Sequence, residues 1–177
     1  NSSAPEQIEY LVNDCNAKVA VVEDDGFLER FLKVRESLPS LEQIVLVEPS
    51  ETAGNAVVPY ADIAASEPAD LAAQADNATL DTLATIIYTS GTTGPPKGVM
   101  LSHGNLCWTL ESVGQSMREQ TIIEDFAGKK HLSYLPMAHI FERLLGHYYL
   151  LDFAAEVSCC PDTAQLSSFL GEVRPNL

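Results

Sequence analysis

Residues 84–103 read Ala84-Thr-Ile-Ile-Tyr-Thr-Ser-Gly-Thr-Thr-Gly-Pro-Pro-Lys-Gly-Val-Met-Leu-Ser-His103. The first five positions are apolar or β-branched, which predicts a buried strand over residues 84–88. Hydroxyl side chains and glycines fill residues 89–94, and two prolines stiffen the exit from this loop. Residues 98–101 predict a second strand, so the whole stretch predicts a hairpin with a long polar turn.

The composition of the loop predicts an anion-binding site. Glycines allow backbone N–H groups to converge on a phosphate, and the four hydroxyls add further donors. Lys97 supplies a positive charge that can reach a phosphate. A Walker A loop does not fit, because Lys97 is preceded by Pro96 and followed by Gly98 instead of Ser or Thr. The sequence therefore predicts a phosphate loop of another kind, with an ordinary turn between two strands as the alternative.

The same stretch resembles the signature of the adenylate-forming superfamily, which contains acyl-CoA synthetases, adenylation domains and luciferases. Tyr88-Thr-Ser-Gly-Thr-Thr-Gly-Pro-Pro-Lys-Gly98 matches it without a gap, and the residues up to His103, together with Asn105, extend the match. The resemblance implies that the loop holds the β- and γ-phosphates of ATP and that Lys97 takes part in catalysis. The nucleotide-binding positions that it implies are Thr89, Ser90, Gly91, Thr92, Thr93, Gly94 and Lys97.

A second informative stretch reads His131-Leu-Ser-Tyr-Leu-Pro-Met-Ala-His-Ile-Phe-Glu-Arg143. It predicts a strand over residues 132–135, ended by a proline, and then a helix that starts near Met137. Helical spacing puts Ile140, Leu144, Tyr148 and Leu151 on one apolar stripe, and His139, Arg143 and His147 on another side.

These residues alone favour a structural role for His139. The two histidines at positions 139 and 147 are too far apart for a known zinc-ligand spacing, and lone histidines are usually structural. Residues 135–143, however, resemble the corresponding motif of long-chain acyl-CoA synthetases. That resemblance implies that His139 is catalytic and lies beside the acyl carboxylate, whereas Glu142 and Arg143 are expected to pair on the helix.

The remaining segments predict alternating helices and strands. Before residue 48 we expect a helix that begins with a Ser3-x-x-Glu6 capping box, a strand over 18–22, a helix over 27–34 and a strand over 43–47. This order predicts right-handed crossovers over a parallel sheet. Residues 49–82 predict a surface excursion with short helical turns near 61–65 and 69–75.

After the hairpin, the pattern predicts a helix over 105–117, a strand over 155–159 and a helix over 163–173. We expect Trp108 to be a packing residue, and Leu166, Phe169 and Leu170 to face inward. Cys15 and Cys107 fall on apolar helix faces, and the adjacent Cys159 and Cys160 are expected to be buried in a strand, with a strained disulfide between them as the alternative.

Composition excludes some classes of protein. The 177 residues carry a formal charge of −15 without a basic stripe, which argues against nucleic acid as a partner. No run is long and apolar enough to span a membrane. The cysteine pattern indicates a reducing compartment, so we expect a cytoplasmic protein, with peripheral membrane contact and oligomeric state left open.

The resemblance extends over nearly the whole chain and implies an α/β fold of layered sheets with flanking helices. Residues 1–177 would be part of the large N-terminal domain of an adenylate-forming enzyme, with the C-terminal domain absent. The implied function is a long-chain fatty acid–CoA ligase that uses ATP, Mg²⁺ and coenzyme A. A fatty acyl-AMP ligase that loads a carrier protein and a non-catalytic nucleotide-binding fragment are the alternatives. The 177 residues alone are expected to be inactive, because the later motifs of the family lie outside them.

Overall fold

The computed structural model describes residues 4–50, 54, 57–89, 95–119, 128–152 and 154–176. The chain divides into two compact units, Asn1–Asp76 and Asn77–Leu177. The first unit contains helices α1 (Pro5–Asp14), α2 (Asp25–Lys33), α3 (Tyr60–Ala64) and α4 (Leu71–Asp76), a 3₁₀ turn at Arg35–Ser37, and strands β1 (Val19–Val22), β2 (Gln43–Leu46) and β3 (Val57–Pro59). The second unit contains strands β4 (Leu83–Thr89), β5 (Lys97–Ser102), β6 (Lys130–Ser133) and β7 (Glu156–Cys159), helices α5 (His103–Glu119), α6 (Tyr149–Asp152) and α7 (Leu166–Val173), a π-helix at Glu142–Tyr148 and a 3₁₀ turn at Thr163–Gln165.

The first unit is built on a parallel sheet in the order β1-β2-β3. The central strand β2 carries three consecutive buried residues, as expected for a strand covered on both faces. Ile8 and Val12 of α1 and Leu28 of α2 pack into the same core cluster as the strand residues. The predicted parallel sheet is therefore confirmed.

One prediction for this unit needs correction, and one strand was not predicted. The N-cap of α1 is Ala4, which makes no side-chain hydrogen bond, and Pro5 fills the first helical turn; Ser3 lies outside the described residues. The sequence also gave no indication of β3, because this strand has three residues and ends in a proline. Its backbone nevertheless pairs with β2, from Ile44 opposite Val57 to Leu46 opposite Pro59.

The second unit contains the predicted hairpin. Strands β4 and β5 pair antiparallel, with Tyr88 opposite Gly98 and Thr89 opposite Lys97. Burial is limited to the middle of β4: Ile87 is 4% exposed, whereas both end residues are exposed. A side chain at position 98 would collide with β4, since a Cβ there would lie 2.9 Å from Cγ2 of Ile86 and 3.1 Å from the Tyr88 ring. The absence of a side chain at Gly98 thus leaves room on β5 for the ring of Tyr88.

The helix after β6 differs from the prediction in its winding. Residues 137–139 form a turn, and the chain becomes helical at Ile140 and then follows a π-helix through Glu142–Tyr148. A π-helix bonds residue i to i+5, so the side chains are displaced from the positions that α-helical spacing gives. The predicted apolar stripe is therefore wrong: Ile140 and Leu151 are 41% and 63% exposed, and the buried hydrophobic residues of this segment are Tyr149 and Leu150.

Two residues that were predicted to pack inside, Trp108 and Leu170, are exposed. Trp108 is 73% exposed, because Leu110, Val113 and Met117 turn the opposite face of α5 toward Tyr149 and Leu150. Leu170 on α7 was expected to face inward, but it is 45% exposed.

The four cysteines are free thiols, so the alternative of a Cys159–Cys160 disulfide is wrong. Cys107 and Cys159 are exposed, and Cys160 is only partly buried, so the expectation of buried strand cysteines is also wrong. Cys159 is the last residue of β7, where the strand leaves its pairing with β6. Cys15 is partly buried, and its thiol donates a hydrogen bond to the Leu11 carbonyl at 3.1 Å.

Among the described residues, no helix has both the length and the apolarity that crossing a bilayer requires.

Candidate functional site

The hairpin brings the two ends of the predicted phosphate loop together. Thr89 ends β4 and Lys97 begins β5, and the two are direct partners in the antiparallel ladder. Their Cα atoms are therefore separated by about 5 Å. Both residues are exposed, so the hydroxyl of Thr89 and the ammonium of Lys97 are accessible at the base of the loop. Residues 90–94, which include the predicted ligands Ser90, Gly91, Thr92, Thr93 and Gly94, lie outside the described residues.

An open pocket of about 420 Å³ lies against the end of β4. One wall is formed by Ile87, Tyr88 and Thr89, and the other by residues of the turn and helix start that follow β6, namely Pro136, Ala138, His139 and Ile140. The structure therefore brings Thr89 and His139, which are fifty residues apart in the sequence, to one pocket. The volume lies within the range of small-molecule sites.

The hydrogen bond at His139 fixes which ring nitrogen can act as a donor. Its Nδ1 accepts a hydrogen bond from the backbone N–H of Phe141 at 3.2 Å. In a neutral imidazole only one nitrogen carries a proton, so Nε2 is then the donor. His139 is exposed, which leaves this N–H accessible to an anionic oxygen such as a carboxylate.

Arg143 forms hydrogen bonds to both of the elements that make up the walls of the pocket. Its Nη1 donates to the Thr85 hydroxyl of β4 at 2.6 Å, and its Nε donates to the Met137 carbonyl at 2.9 Å. Its backbone N–H also donates to the His139 carbonyl at 3.1 Å. The arginine side chain therefore turns toward β4 and does not extend along the helix.

Glu142 turns to the opposite side and is buried, with 3% exposure. Its Oε1 lies 3.8 Å from Nε2 of His131 on β6, and neither atom has a hydrogen-bond partner. The expected Glu142–Arg143 pair is therefore wrong, since each side chain contacts a different strand. Adjacent residues on a helix point in different directions, and here Arg143 reaches β4 whereas Glu142 reaches β6.

The carboxylate of Glu142 packs over Gly146 in the next turn. A Cβ at position 146 would lie 2.7 Å from Cδ of Glu142 and in closer contact still with one carboxylate oxygen. This position therefore has no room for a side chain while Glu142 keeps its conformation.

The described residues contain no group of three histidine, cysteine or acidic side chains that could hold a metal ion. Within that part of the chain, the zinc hypothesis for His139 and His147 gains no support. The ring of His147 instead contacts Tyr148, at 5.6 Å between ring centres.

Sequence reasoning missed Thr85 as a contributor to the site. In β4 Thr85 shares a strand face with Ile87, which is buried, and a hydroxyl on a buried face requires a hydrogen-bond partner. That alternation was the available signal for a bond across to another element. The arginine that supplies it lies 58 residues away, and no local pattern could identify it.

Comparison with known proteins shows which family the chain matches. The model of the AMP-binding enzyme family matches residues 1–175. The chain is 32% identical over 190 residues to the long-chain-fatty-acid–CoA ligase ACSBG2 of Xenopus laevis, a match that covers 98% of this chain and 24% of that protein. It is 34% identical over 161 residues to the peroxisomal acyl-CoA ligase 891 of Penicillium brevicompactum, covering 81% and 22% of the two chains. The chain thus spans about a quarter of the length of these relatives.

Solved structures show the same fold. An anthranilate CoA ligase, AuaEII, in complex with anthranoyl-AMP superimposes with a TM-score of 0.74 at 21% identity, over 98% of this chain and 32% of that one. ATP-bound MatB from Rhodopseudomonas palustris gives a TM-score of 0.67 at 19% identity, over 97% and 31%. The expected mixed α/β fold, that of the N-terminal domain of adenylate-forming enzymes, is confirmed.

Proposed function

This chain belongs to the AMP-binding enzyme family, and on that premise we propose that the complete protein is a long-chain fatty acid–CoA ligase. The observation that carries the proposal is the shared pocket, in which Thr89 at the start of the phosphate loop faces the same space as His139. A fatty acid carboxylate bound there would meet a histidine N–H on one side and the phosphate loop on the other. Residues 1–177 would form part of the N-terminal domain of that enzyme.

The proposed reaction has two steps. A carboxylate oxygen of the fatty acid attacks the α-phosphorus of ATP, and the bond to the β-phosphate breaks so that pyrophosphate leaves. The sulfur of coenzyme A then attacks the acyl carbon; the bond to AMP breaks, and the thiol proton passes to solvent. Positioning and charge stabilisation supply most of the catalysis in such displacements.

Lys97, the loop of residues 89–94 and His139 each have a role in this proposal. Lys97 and the loop of residues 89–94 hold the β- and γ-phosphates, where the lysine offsets negative charge as pyrophosphate departs. His139 donates from Nε2 to the fatty acid carboxylate and so holds it near the α-phosphorus. Magnesium would accompany ATP and would neutralise part of the charge on its phosphates.

The proposal also specifies a long-chain acid as the substrate and the cytoplasm as the location. Relatives 29–32% identical to this chain are named long-chain-fatty-acid–CoA ligases, and that supports a fatty acid over a smaller acid. The four free cysteines support a reducing compartment, which fits a cytoplasmic enzyme that meets its lipid substrate at a membrane surface.

The test is fatty-acid-dependent exchange of pyrophosphate into ATP by the complete protein, with Lys97→Ala as the variant. We expect exchange with palmitate and a loss on the order of 100-fold in the variant, because one electrostatic stabiliser of the transition state is removed. The control is Lys33→Ala at the exposed end of α2, which should exchange at the parental rate.

Three results would separate the alternatives. Exchange without formation of acyl-CoA, with the acyl group passed to a carrier protein, identifies a fatty acyl-AMP ligase. ATP binding without any acid-dependent exchange identifies a non-catalytic nucleotide-binding protein. A Lys97→Ala enzyme that exchanges like the parent would show that the lysine has no catalytic role.

A further inference from the structure

Arg143 makes an unusual set of contacts for a helix residue beside a binding pocket. Its guanidinium donates to two oxygens on separate elements, the Thr85 hydroxyl at 2.6 Å and the Met137 carbonyl at 2.9 Å. Both acceptors are neutral, and the described residues place no carboxylate in an ion pair with it. Charge neutralisation therefore does not explain why an arginine occupies this position.

The two acceptors belong to the two elements that form the walls of the pocket. Thr85 is four residues before Thr89 on the same strand, and Met137 is two residues before His139 in the same turn. Thr89 and His139 both line the pocket, whereas Arg143 does not. One side chain thus joins the strand that enters the phosphate loop to the segment that presents the histidine.

The chemistry of arginine suits this joint. The guanidinium is planar and holds its N–H groups in fixed directions, so two bonds from one rigid group restrict both the distance and the angle between their acceptors. A lysine keeps the charge but has a single flexible ammonium and cannot reproduce that geometry. The turn over residues 137–139 has few other restraints in the described structure; the bonds that hold it are those from His139 N–H to Pro136, from Phe141 N–H to His139 Nδ1 and from Arg143.

We propose that Arg143 is a positioning residue that sets the distance between His139 and Thr89 through its bonds to Met137 and Thr85. It does not line the pocket and acts through the two walls. This inference rests on the proposed function for its catalytic consequence, but not for its structural one. It also gives the arginine a specific task that the sequence motif alone does not indicate.

The test uses Arg143→Lys, Thr85→Val and their combination in the complete protein. Valine has the shape of threonine without the hydroxyl, so it removes one acceptor with little change in packing. We expect kcat for fatty-acid-dependent exchange to fall about tenfold or more in Arg143→Lys, because small misplacements of reacting groups reduce rate strongly. The KM for ATP should change far less, and the double variant should be little worse than Arg143→Lys alone, since both remove one shared contact.

A second readout measures positioning directly. Hydrogen–deuterium exchange of the peptide spanning residues 136–141 should accelerate in both single variants, while exchange in α2 stays at the parental rate. The matched control is Arg174→Lys, an arginine in the same unit with one long bond of 3.4 Å to the Gly171 carbonyl, which should leave activity and exchange of residues 136–141 unchanged.

Each outcome decides the inference. If the parent enzyme exchanges pyrophosphate but Arg143→Lys retains full kcat and parental deuterium uptake at residues 136–141, the inference is overturned. It is also overturned if Thr85→Val behaves as the parent in both readouts while Arg143→Lys is impaired. In that case the hydrogen bond from Arg143 to Thr85 of β4 would make no contribution to positioning. If the parent shows no acid-dependent exchange, the proposed function fails, and faster deuterium uptake in both variants would still support the positioning role.

Discussion

Glu142 and Gly146 form a pair in which one residue depends on the absence of a side chain in the other. The carboxylate of Glu142 is 3% exposed and fills the space above Gly146 that a methyl group would take. A glycine inside a helix normally lowers stability relative to alanine by about 0.5–1 kcal/mol. Here the glycine instead permits a buried carboxylate to lie 3.8 Å from His131, and so connects the π-helix with β6.

We expect Gly146→Ala to destabilise the protein by about 1–3 kcal/mol, because the buried carboxylate must be displaced from a filled space. Thermal or urea unfolding of the complete protein measures the change. The control is Gly171→Ala in α7, where an added Cβ meets nothing within 4 Å and alanine should be neutral or stabilising.

The cause can be tested in the same series. If the collision with Glu142 is responsible, Gly146→Ala should cost much less in a Glu142→Ala background. An equal cost in both backgrounds would assign the effect to the helix backbone and not to the carboxylate.

At the scale of elements, helix α2 is the clearest case of a local start signal. The Asp24 carboxylate accepts the backbone N–H of Phe27 at 2.8 Å, Asp25 follows in the first turn, and Arg30 and Lys33 lie in the last turn. The cap satisfies one of the free N–H groups, and the charges complement the helix dipole.

We expect Asp24→Ala to lower the free energy of unfolding by about 1 kcal/mol, since the N–H of Phe27 loses its partner. Asp24→Asn keeps an acceptor oxygen and should lose only a fraction of that amount. Equilibrium unfolding in urea measures both, and equal losses would indicate that charge and not the hydrogen bond is responsible.

The sequence predicted elements well where local periodicity determines them. β1, β2, the hairpin of β4 and β5, and helices α1, α2 and α5 follow from β-branched runs or helical spacing, with boundaries shifted by a few residues. β3 escaped because its three residues are held by pairing with β2, a contact that no local pattern reports. The prediction of which residues face inward on the helix after β6 was wrong, because it assumed α-helical spacing. The segment is a π-helix, in which that spacing does not apply.

Motifs supplied candidate residues for the site, but local sequence could not give their arrangement. Thr89, Lys97 and His139 were identified from motifs, and the structure places Thr89 beside Lys97 and brings Thr89 and His139 to one pocket. The Arg143–Thr85 bond spans 58 residues and depends on how the π-helix is wound. Such a contact follows from tertiary structure alone.

At the scale of the whole molecule, the described residues 59–83 are exposed without exception. They follow the well-packed core of the first unit, in which Leu28 and Leu38 are 3% and 0% exposed. Helix α4 has no buried residue, and Leu71 and Leu80 are 76% and 65% exposed. The predicted surface excursion is therefore confirmed over these residues.

We expect thermolysin, which cuts before large apolar residues, to cleave the complete protein first at Leu71 or Leu80. Exposed segments with few packing contacts open at little free-energy cost, whereas core leucines require unfolding of the unit. Limited digestion followed by mass spectrometry identifies the first cuts. Early cleavage beside Leu28, with the bonds at Leu71 and Leu80 intact, would contradict this expectation and would indicate that another part of the protein covers the stretch.

The π-helix also has a consequence for how this region can change by insertion and deletion. A helix that bonds residue i to i+5 accommodates one residue more than an α-helix of the same length, so loss of a single residue between 142 and 148 could restore ordinary winding without breaking the helix. Because the π-helix absorbs that residue within its own turns, such a deletion would leave Tyr149 and Leu150 on nearly their present side of the helix. The contacts that would be lost are those made from within the π-helix by Glu142, Arg143 and Gly146, so the number of residues in this segment is as constrained as their identity.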